Sequence, residues 1–171
     1  IDDAVQFLVN QEVDVLLRES LEKQIQYFAK PLKADVKPLD DTLPRLIEID
    51  QRRNIYVHNR GTVNRQYLSR VAPALVNEFE AKDGKTLPVN DQYLGAAIDT
   101  VFTSGLILLM ECWAKWAKAE ADERDAFLVN VTFEALQESR YEVVRRIATF
   151  GVTGPVLGDE ERRILIINHA A

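Results

Sequence analysis

Hydrophobic residues recur at helical spacing along most of this 171-residue chain, and no useful length of it alternates as a β-strand does. Over residues 4–30 the apolar positions follow one another at steps of one, three or four, which places them on one side of an α-helix. They are Val5, Leu8, Val9, Val13, Leu16, Leu17, Leu21, Ile25 and Phe28. We therefore predict one continuous helix there, ended by Pro31 because the residue before a proline disfavours helical backbone angles.

The rest of the chain is predicted to be helical as well. A second helix starts at Asp41 or Thr42 and stops at Gly61, and another spans 64–82 with a kink or interruption at Pro73. A cap at Asn90 or Asp91 leads into a long helix from Gln92 to about Glu120. The next helix spans about 122–150 with a stop near Gly151 and Gly154-Pro155, and a last one starts at Gly158-Asp159. The longest nearly apolar run, 101–113, is short and contains the polar residues Thr103, Ser104 and Glu111. We therefore interpret it as part of a buried core helix and not as a membrane span. The fold class predicted is all-α, an up-and-down bundle of five to six helices.

Length and composition fit one globular domain. About half of the residues are apolar (47%), which is enough to bury a core, and the net charge is −6. The single cysteine, Cys112, excludes a disulfide framework and any multi-cysteine metal site, and it favours the reducing cytoplasm. We assign residues 1–150 to the helical domain and 151–171 to a C-terminal linker and helix, with a further segment left open beyond it.

Positive charge is concentrated in one segment of this acidic chain. Residues 45–70 contain six arginines and only two acids, Glu48 and Asp50, for a net charge of +4. Arginine presents a planar set of donors that matches phosphate oxygens, whereas lysine offers a point charge. The segment is therefore either a phosphate-binding surface or an ordinary solvated helix face.

Three residues in this segment have the chemistry to cleave RNA. Asn54 and His58 are four apart and share a helix face, and the long side chain of Arg53 reaches the same end of the helix. Histidine exchanges a proton readily near neutral pH, and arginine stabilises charge that develops on phosphoryl oxygens. Asn54 would bind a phosphate oxygen or orient His58. The alternative is a histidine that only complements the dipole at a helix C-terminus.

The string Arg53-Asn54, three residues, His58-Asn59, followed by Gly61, Val63, Asn64 and Tyr67-Leu68, resembles the HEPN superfamily of helical ribonucleases. Its signature is an arginine, then four to six intervening residues, then a histidine, with a polar residue, commonly asparagine, directly after the arginine. The resemblance implies a metal-independent endoribonuclease that needs no cofactor and leaves a 2′,3′-cyclic phosphate. It also implies a toxin–antitoxin, abortive-infection or other anti-phage role in the cytoplasm, with RNA as substrate and an antitoxin or regulatory protein as partner. Family members usually pair as homodimers, so that both motifs line one composite cleft.

Carried over residue by residue, the resemblance makes Arg53 and His58 catalytic and Asn54 supporting. To these we add possible RNA contacts of our own, namely Arg52, Tyr56, Arg60 and Arg65. No metal site is predicted, since no carboxylate pair and no second histidine lie beside His58. Arg60 stands where toxins paired with nucleotidyltransferase antitoxins often carry a tyrosine, which argues against regulation by nucleotide transfer. The alternative function is a noncatalytic helical interaction or nucleotide-binding module of a larger protein, because the family also includes inactive members.

Overall fold

The computed structural model describes residues 2–153 and 158–170. Those residues form nine α-helices and two short 3-10 turns, with no β-strand among them. The helices are α1 (Asp2–Leu17), α2 (Leu21–Ala29), α3 (Leu43–Asn59), α4 (Arg65–Arg70), α5 (Pro73–Glu78), α6 (Asp91–Trp116), α7 (Ala121–Gln137), α8 (Tyr141–Thr153) and α9 (Asp159–Ala170). The predicted all-α class is confirmed, while the described residues hold nine helices in place of the five or six predicted.

The first predicted helix is divided into α1 and α2. Ser20, between them, has extended backbone angles. The Gln24 side chain donates hydrogen bonds to the carbonyls of Leu16 (3.3 Å) and Glu19 (3.1 Å), which ties the start of α2 to the end of α1. The prediction of one helix over residues 4–30 was therefore wrong. Hydrophobic spacing reports which side of a segment is apolar, and it persists through a short break in the backbone.

The arginine-rich segment forms α3 and α4. Helix α3 begins after Thr42 with Pro44 in its first turn, where a proline removes only an N–H that has no helical partner. Pro73 interrupts the next segment as predicted: it begins α5, and Ala72 before it is extended. An isolated antiparallel bridge joins Thr62 to Thr86, and it ties the connection after α3 to the loop that precedes α6.

Helix α6 is the longest helix. The Asn90 side chain caps it by accepting a hydrogen bond from the Tyr93 backbone N–H (2.8 Å), which confirms one of the two predicted caps. The helix begins at Asp91, one residue before the predicted Gln92. Among the described residues, one helix, α6, is long and apolar enough to cross a membrane, judged by length and composition only. The core helix of a soluble protein passes the same test, and α6 packs against α3, α7 and α8. The interpretation of α6 as a buried core helix therefore holds for one side of the helix only, since 39% of its most apolar stretch is buried.

A turn that the sequence did not reveal separates α7 from α8. Ser139 adopts a left-handed backbone conformation (φ 59°), and the Arg140 N–H bonds to the Ala135 carbonyl (2.9 Å), which closes the end of α7. The prediction of a single helix over 122–150 was wrong, because this turn divides the segment into α7 and α8. Neither glycine nor proline marks the turn in the sequence. Gly151 lies inside α8, and the other predicted stop, Gly154-Pro155, lies outside the described residues.

The buried apolar side chains form two clusters. The main core combines side chains from α6, α7, α8 and α9, and includes Ile107, Leu128, Ile147 and the fully buried Leu165 of α9. The small core lies where α3, α4, α5 and the loop before α6 meet. Its members are Ile55, Val63, Tyr67, Val71, Leu75, Ala81 and Leu87. The small core supports the last turns of α3.

Candidate functional site

The C-terminal end of α3 has a defined position. Arg60 ends the helix in a left-handed conformation (φ 52°), and Gly61 follows in the same region (φ 77°). A side chain at Gly61 would place its Cβ 3.0 Å from the Tyr56 ring, so both the backbone angle and this close contact require glycine. The Tyr56 hydroxyl donates a hydrogen bond to the Leu87 carbonyl (2.6 Å), which anchors the ring to the loop before α6.

His58 and Arg53 are both exposed on the last turns of α3. The imidazole of His58 makes no hydrogen bond or ion pair with any described residue, so both of its ring nitrogens are available to a ligand. His58 is five positions after Arg53, which corresponds to about 7.5 Å along the helix axis and about 140° around it. A side chain as long as arginine can span much of that distance.

Asn54 holds Arg53 in place. Its amide oxygen accepts a hydrogen bond from Arg53 Nη1 (3.0 Å), and its amide nitrogen donates to Asp50 (3.2 Å). The same oxygen of Asp50 accepts a bond from Gln51 (2.9 Å). Of the two roles considered for Asn54, orientation of His58 has no hydrogen bond to support it among the described residues. The observed contact is with the arginine.

The six arginines of residues 45–70 fall into two groups. Arg45, Arg52 and Arg70 form ion pairs with Glu78, Glu48 and Glu22. Arg53, Arg60 and Arg65 are exposed and form no ion pair within the described part of the chain. Arg65 begins α4, although a cation is unfavourable beside the positive end of a helix dipole. Local helix stability therefore does not explain the arginine at this position.

Arg52 lies in the interior, where an RNA strand does not reach. Its side chain is 3% exposed, its Nε donates to the Glu48 carboxylate (2.7 Å), and its Nη1 donates to the Pro88 carbonyl (3.1 Å). The guanidinium lies about 4 Å from the ring centroids of Phe79 and Tyr93. This position does not agree with the RNA contact predicted for Arg52, which the structure makes part of the fold.

Glu48 is the centre of that buried cluster. Its fully buried carboxylate accepts hydrogen bonds from Arg52, from the Tyr67 hydroxyl (2.7 Å) and from the Tyr93 hydroxyl (3.0 Å). Burial lowers the pKa of Arg52, but Glu48, Tyr93 and Tyr67 together outweigh burial, and the pKa lies above its usual value. Burial, together with Glu48, raises the pKa of both phenols, so both remain donors.

Sequence reasoning did not single out this cluster. The spacing of four between Glu48 and Arg52 is the spacing of a helical ion pair and was a usable signal. Nothing local connects them to Tyr67 or Tyr93, which lie 19 and 45 residues beyond Glu48. Those contacts exist only because α4 and α6 pack against α3.

A cavity of about 730 Å³ opens beside the buried cluster, lined by Leu87 of the small core and Val143 of the main core. The charged side chains around it are paired. Both carboxylate oxygens of Glu78 accept bonds from Arg45 (2.9 and 3.0 Å). Glu142 accepts bonds from Arg145 and from Arg146, which hold its pKa down to about 2. The lining therefore carries no large excess of either charge.

Within residues 2–153 and 158–170, no group of three or more His, Cys, Asp or Glu side chains is arranged to hold a metal ion. The geometry at the end of α3 thus offers an exposed imidazole, an oriented guanidinium and two further unpaired arginines.

Comparison with protein-family models, with curated proteins and with solved structures finds no match to this chain. The likeness to the HEPN superfamily accordingly remains an interpretation of residues 52–68.

Proposed function

We propose that this chain is a metal-independent endoribonuclease of the HEPN type. One observation supports the proposal most: the exposed His58 lies in the same segment as three exposed arginines, Arg53, Arg60 and Arg65, that have no acidic partner in the described chain. An unpaired guanidinium is available to a phosphate, whereas one in an ion pair must first release its carboxylate. Arg53 and Arg60, the two arginines closest in sequence to the candidate catalytic histidine, are both available.

The proposed reaction is an internal transesterification of RNA. A ribose 2′-oxygen attacks the adjacent phosphorus, the bond from phosphorus to the 5′-oxygen of the next nucleotide breaks, and the products carry a 2′,3′-cyclic phosphate and a 5′-hydroxyl. His58 takes the proton from the 2′-hydroxyl or gives one to the departing 5′-oxygen. Arg53 donates hydrogen bonds to the phosphoryl oxygens as they gain charge, and Asn54 keeps its guanidinium in position.

The surroundings of this pair suggest how RNA would bind. Arg60 and Arg65 would contact phosphates, and the half-exposed ring of Tyr56 would offer a face to a base. We extend the proposal to a cytoplasmic homodimer with a composite cleft. Its biological role would be in a toxin–antitoxin, abortive-infection or other anti-phage system, with an antitoxin or regulatory partner.

The test is cleavage of labelled single-stranded RNA by the purified chain in excess EDTA. Wild-type protein should release fragments with cyclic-phosphate ends, and His58→Ala should slow cleavage by about 100-fold or more. Asn130→Ala, a substitution on the exposed side of α7, is the matched control and should cleave at the wild-type rate. Equal rates for wild type and His58→Ala would contradict the proposal, as would an inactive wild-type chain.

The cavity beside Glu48 and Arg52 supports a second candidate, a noncatalytic module that binds a nucleotide or similar small molecule. Its volume of about 730 Å³ suits such a ligand. This candidate predicts that wild type and His58→Ala are equally inactive on RNA. It also predicts that ATP or AMP raises the melting temperature of both proteins, and that the bulky substitution Thr100→Trp in the lining abolishes the rise.

A further inference from the structure

Helix α1 leaves an apolar surface uncovered. From Asp3 to Leu17 each side chain is exposed except Leu16, which is half-buried. The exposed set includes seven large apolar side chains, each between 46% and 68% exposed: Val5, Phe7, Leu8, Val9, Val13, Val15 and Leu17. An isolated helix of 16 residues is marginal in water even when it is rich in alanine, and this one contains four β-branched valines. Such a helix needs a surface to pack against.

Helix α6 leaves a second apolar surface uncovered. Its exposed large apolar residues are Leu94, Ile98, Val101, Phe102, Leu109 and Trp116. At about 100° per residue these six lie within roughly 100° of the helix circumference, so they form one narrow stripe. Gly105 lies within the same arc and has no atom within 4 Å of a Cβ built on it, so another helix can approach closely there.

We infer that α1 of one copy of this chain packs on the α6 stripe of a second copy, and that the exchange is reciprocal. The lengths agree, since α1 extends about 24 Å and the stripe from Leu94 to Trp116 about 33 Å. A reciprocal exchange closes under twofold symmetry and leaves neither stripe exposed. A homodimer is already part of the proposed function; the new inference is its interface, which depends on exposed side chains and not on nuclease activity.

The size of the two surfaces fits a stable dimer. The contact would cover ten large apolar side chains per copy: the six of the α6 stripe, and Val5, Val9, Val13 and Leu17, which lie within about 120° of one another on α1. Each is now between 39% and 68% exposed. Covering them removes on the order of 800 Å² per copy from water, which is the size of an ordinary specific interface. Each copy would also avoid an exposed apolar patch larger than monomers usually tolerate.

The charge of α1 argues against a membrane surface as its occupant. The helix contains Asp2, Asp3, Glu12 and Asp14 and no lysine or arginine, for a net charge of −4. Amphipathic helices that lie on anionic lipid are typically rich in basic residues on their polar face. Packing against a second copy needs no basic residues on α1. It requires only that the four acidic side chains lie outside the apolar contact.

The test is the mass of the full chain in solution over a range of concentrations, by light scattering and sedimentation. Wild type should be dimeric. Val9→Glu in α1 and Ile98→Glu in α6 should each weaken the dimer at least about tenfold, because each places a charge in an apolar contact. Phe133→Glu is the matched control: Phe133 is 50% exposed on α7 and belongs to neither surface, so this variant should remain dimeric. Circular dichroism confirms that each variant keeps its helices.

Mixing the two interface variants distinguishes reciprocal exchange from other dimers. In the mixed pair, the unaltered α1 of one variant meets the unaltered α6 stripe of the other, so one of the two contacts is intact. A heterodimer should therefore form at concentrations where each variant alone is monomeric. A monomeric wild type, dimers that survive both substitutions, or a mixture that stays monomeric would each overturn the inference. If the monomeric wild type binds phosphatidylserine vesicles, the occupant is a lipid surface instead.

Discussion

Arg52 and Arg53 are neighbours in the sequence, yet they occupy opposite environments. Arg52 is 3% exposed, paired with Glu48 and packed near two aromatic rings, whereas Arg53 is exposed and bonded only to the amide of Asn54 among described residues. A step of one residue turns a helix by about 100°, which is enough to move a side chain from core to solvent. Charge clustering in a sequence therefore combines cations that build the fold with cations that are free to bind a ligand.

The largest expected effect is on the buried side of this comparison. Glu48→Gln keeps the shape of the side chain but leaves the Arg52 cation buried without its counter-charge, which typically costs about 3–5 kcal/mol. Glu78→Gln is the matched control: it removes the same charge from a pair with Arg45 in which Glu78 is 50% exposed, and it should cost about 1 kcal/mol or less. Urea unfolding measures both. If both variants lost the same unfolding free energy, the buried Glu48–Arg52 pair would contribute no more to the fold than the exposed Glu78–Arg45 pair.

A smaller effect is expected among the exposed arginines. If Arg65 contacts a phosphate, Arg65→Gln should reduce the slope of log affinity against log salt by about 0.7 for single-stranded RNA. Arg70→Gln removes an arginine at the other end of α4 that is paired with Glu22 (3.5 Å), and it should change the slope less. Fluorescence anisotropy in the His58→Ala background measures binding without cleavage. An unchanged slope for Arg65→Gln would exclude that arginine from the binding surface.

The smallest expected effect is at an exposed acid. Arg145 and Arg146 hold the pKa of Glu142 near 2, below its usual 4.5, so its charge contributes stability above about pH 4.5 that is lost as the pH falls towards 2. Because the side chain is 48% exposed, Glu142→Gln should cost only about 0.5 kcal/mol at pH 7, and nothing near pH 2. Unfolding midpoints at the two pH values test this. If Glu142→Gln lost as much unfolding free energy at pH 7 as Glu48→Gln, an exposed ion pair in this chain would stabilise the fold as much as the buried one.

Local rules accounted for the helical class and for several boundaries. Pro44, Pro73 and Asn90 act through their own backbone and side-chain chemistry, so their effects are visible in the sequence. The break at Ser20 and the turn at Ser139 were missed because no glycine or proline marks them. In both cases hydrophobic spacing continues across the break.

The candidate site divides in the same way. The placement of Arg53, Asn54 and His58 on the last turns of α3 follows from helical spacing, whereas a hydrogen bond joins only Arg53 to Asn54. The burial of Arg52 depends on Tyr67 and Tyr93, which reach Glu48 from other helices. Tertiary packing decides which of two adjacent arginines is buried, and the sequence contains no local signal of that choice.

We propose that Arg53 acts in RNA cleavage while Arg52 stabilises the fold. Two measurements on the single variant Arg53→Gln test this difference most directly. The free energy of unfolding should stay within about 0.5 kcal/mol of wild type, as for other exposed substitutions. RNA cleavage under single-turnover conditions should slow by about 100-fold, because a donor to the phosphoryl oxygens is lost. Cleavage at the wild-type rate by a stably folded Arg53→Gln protein would contradict the account.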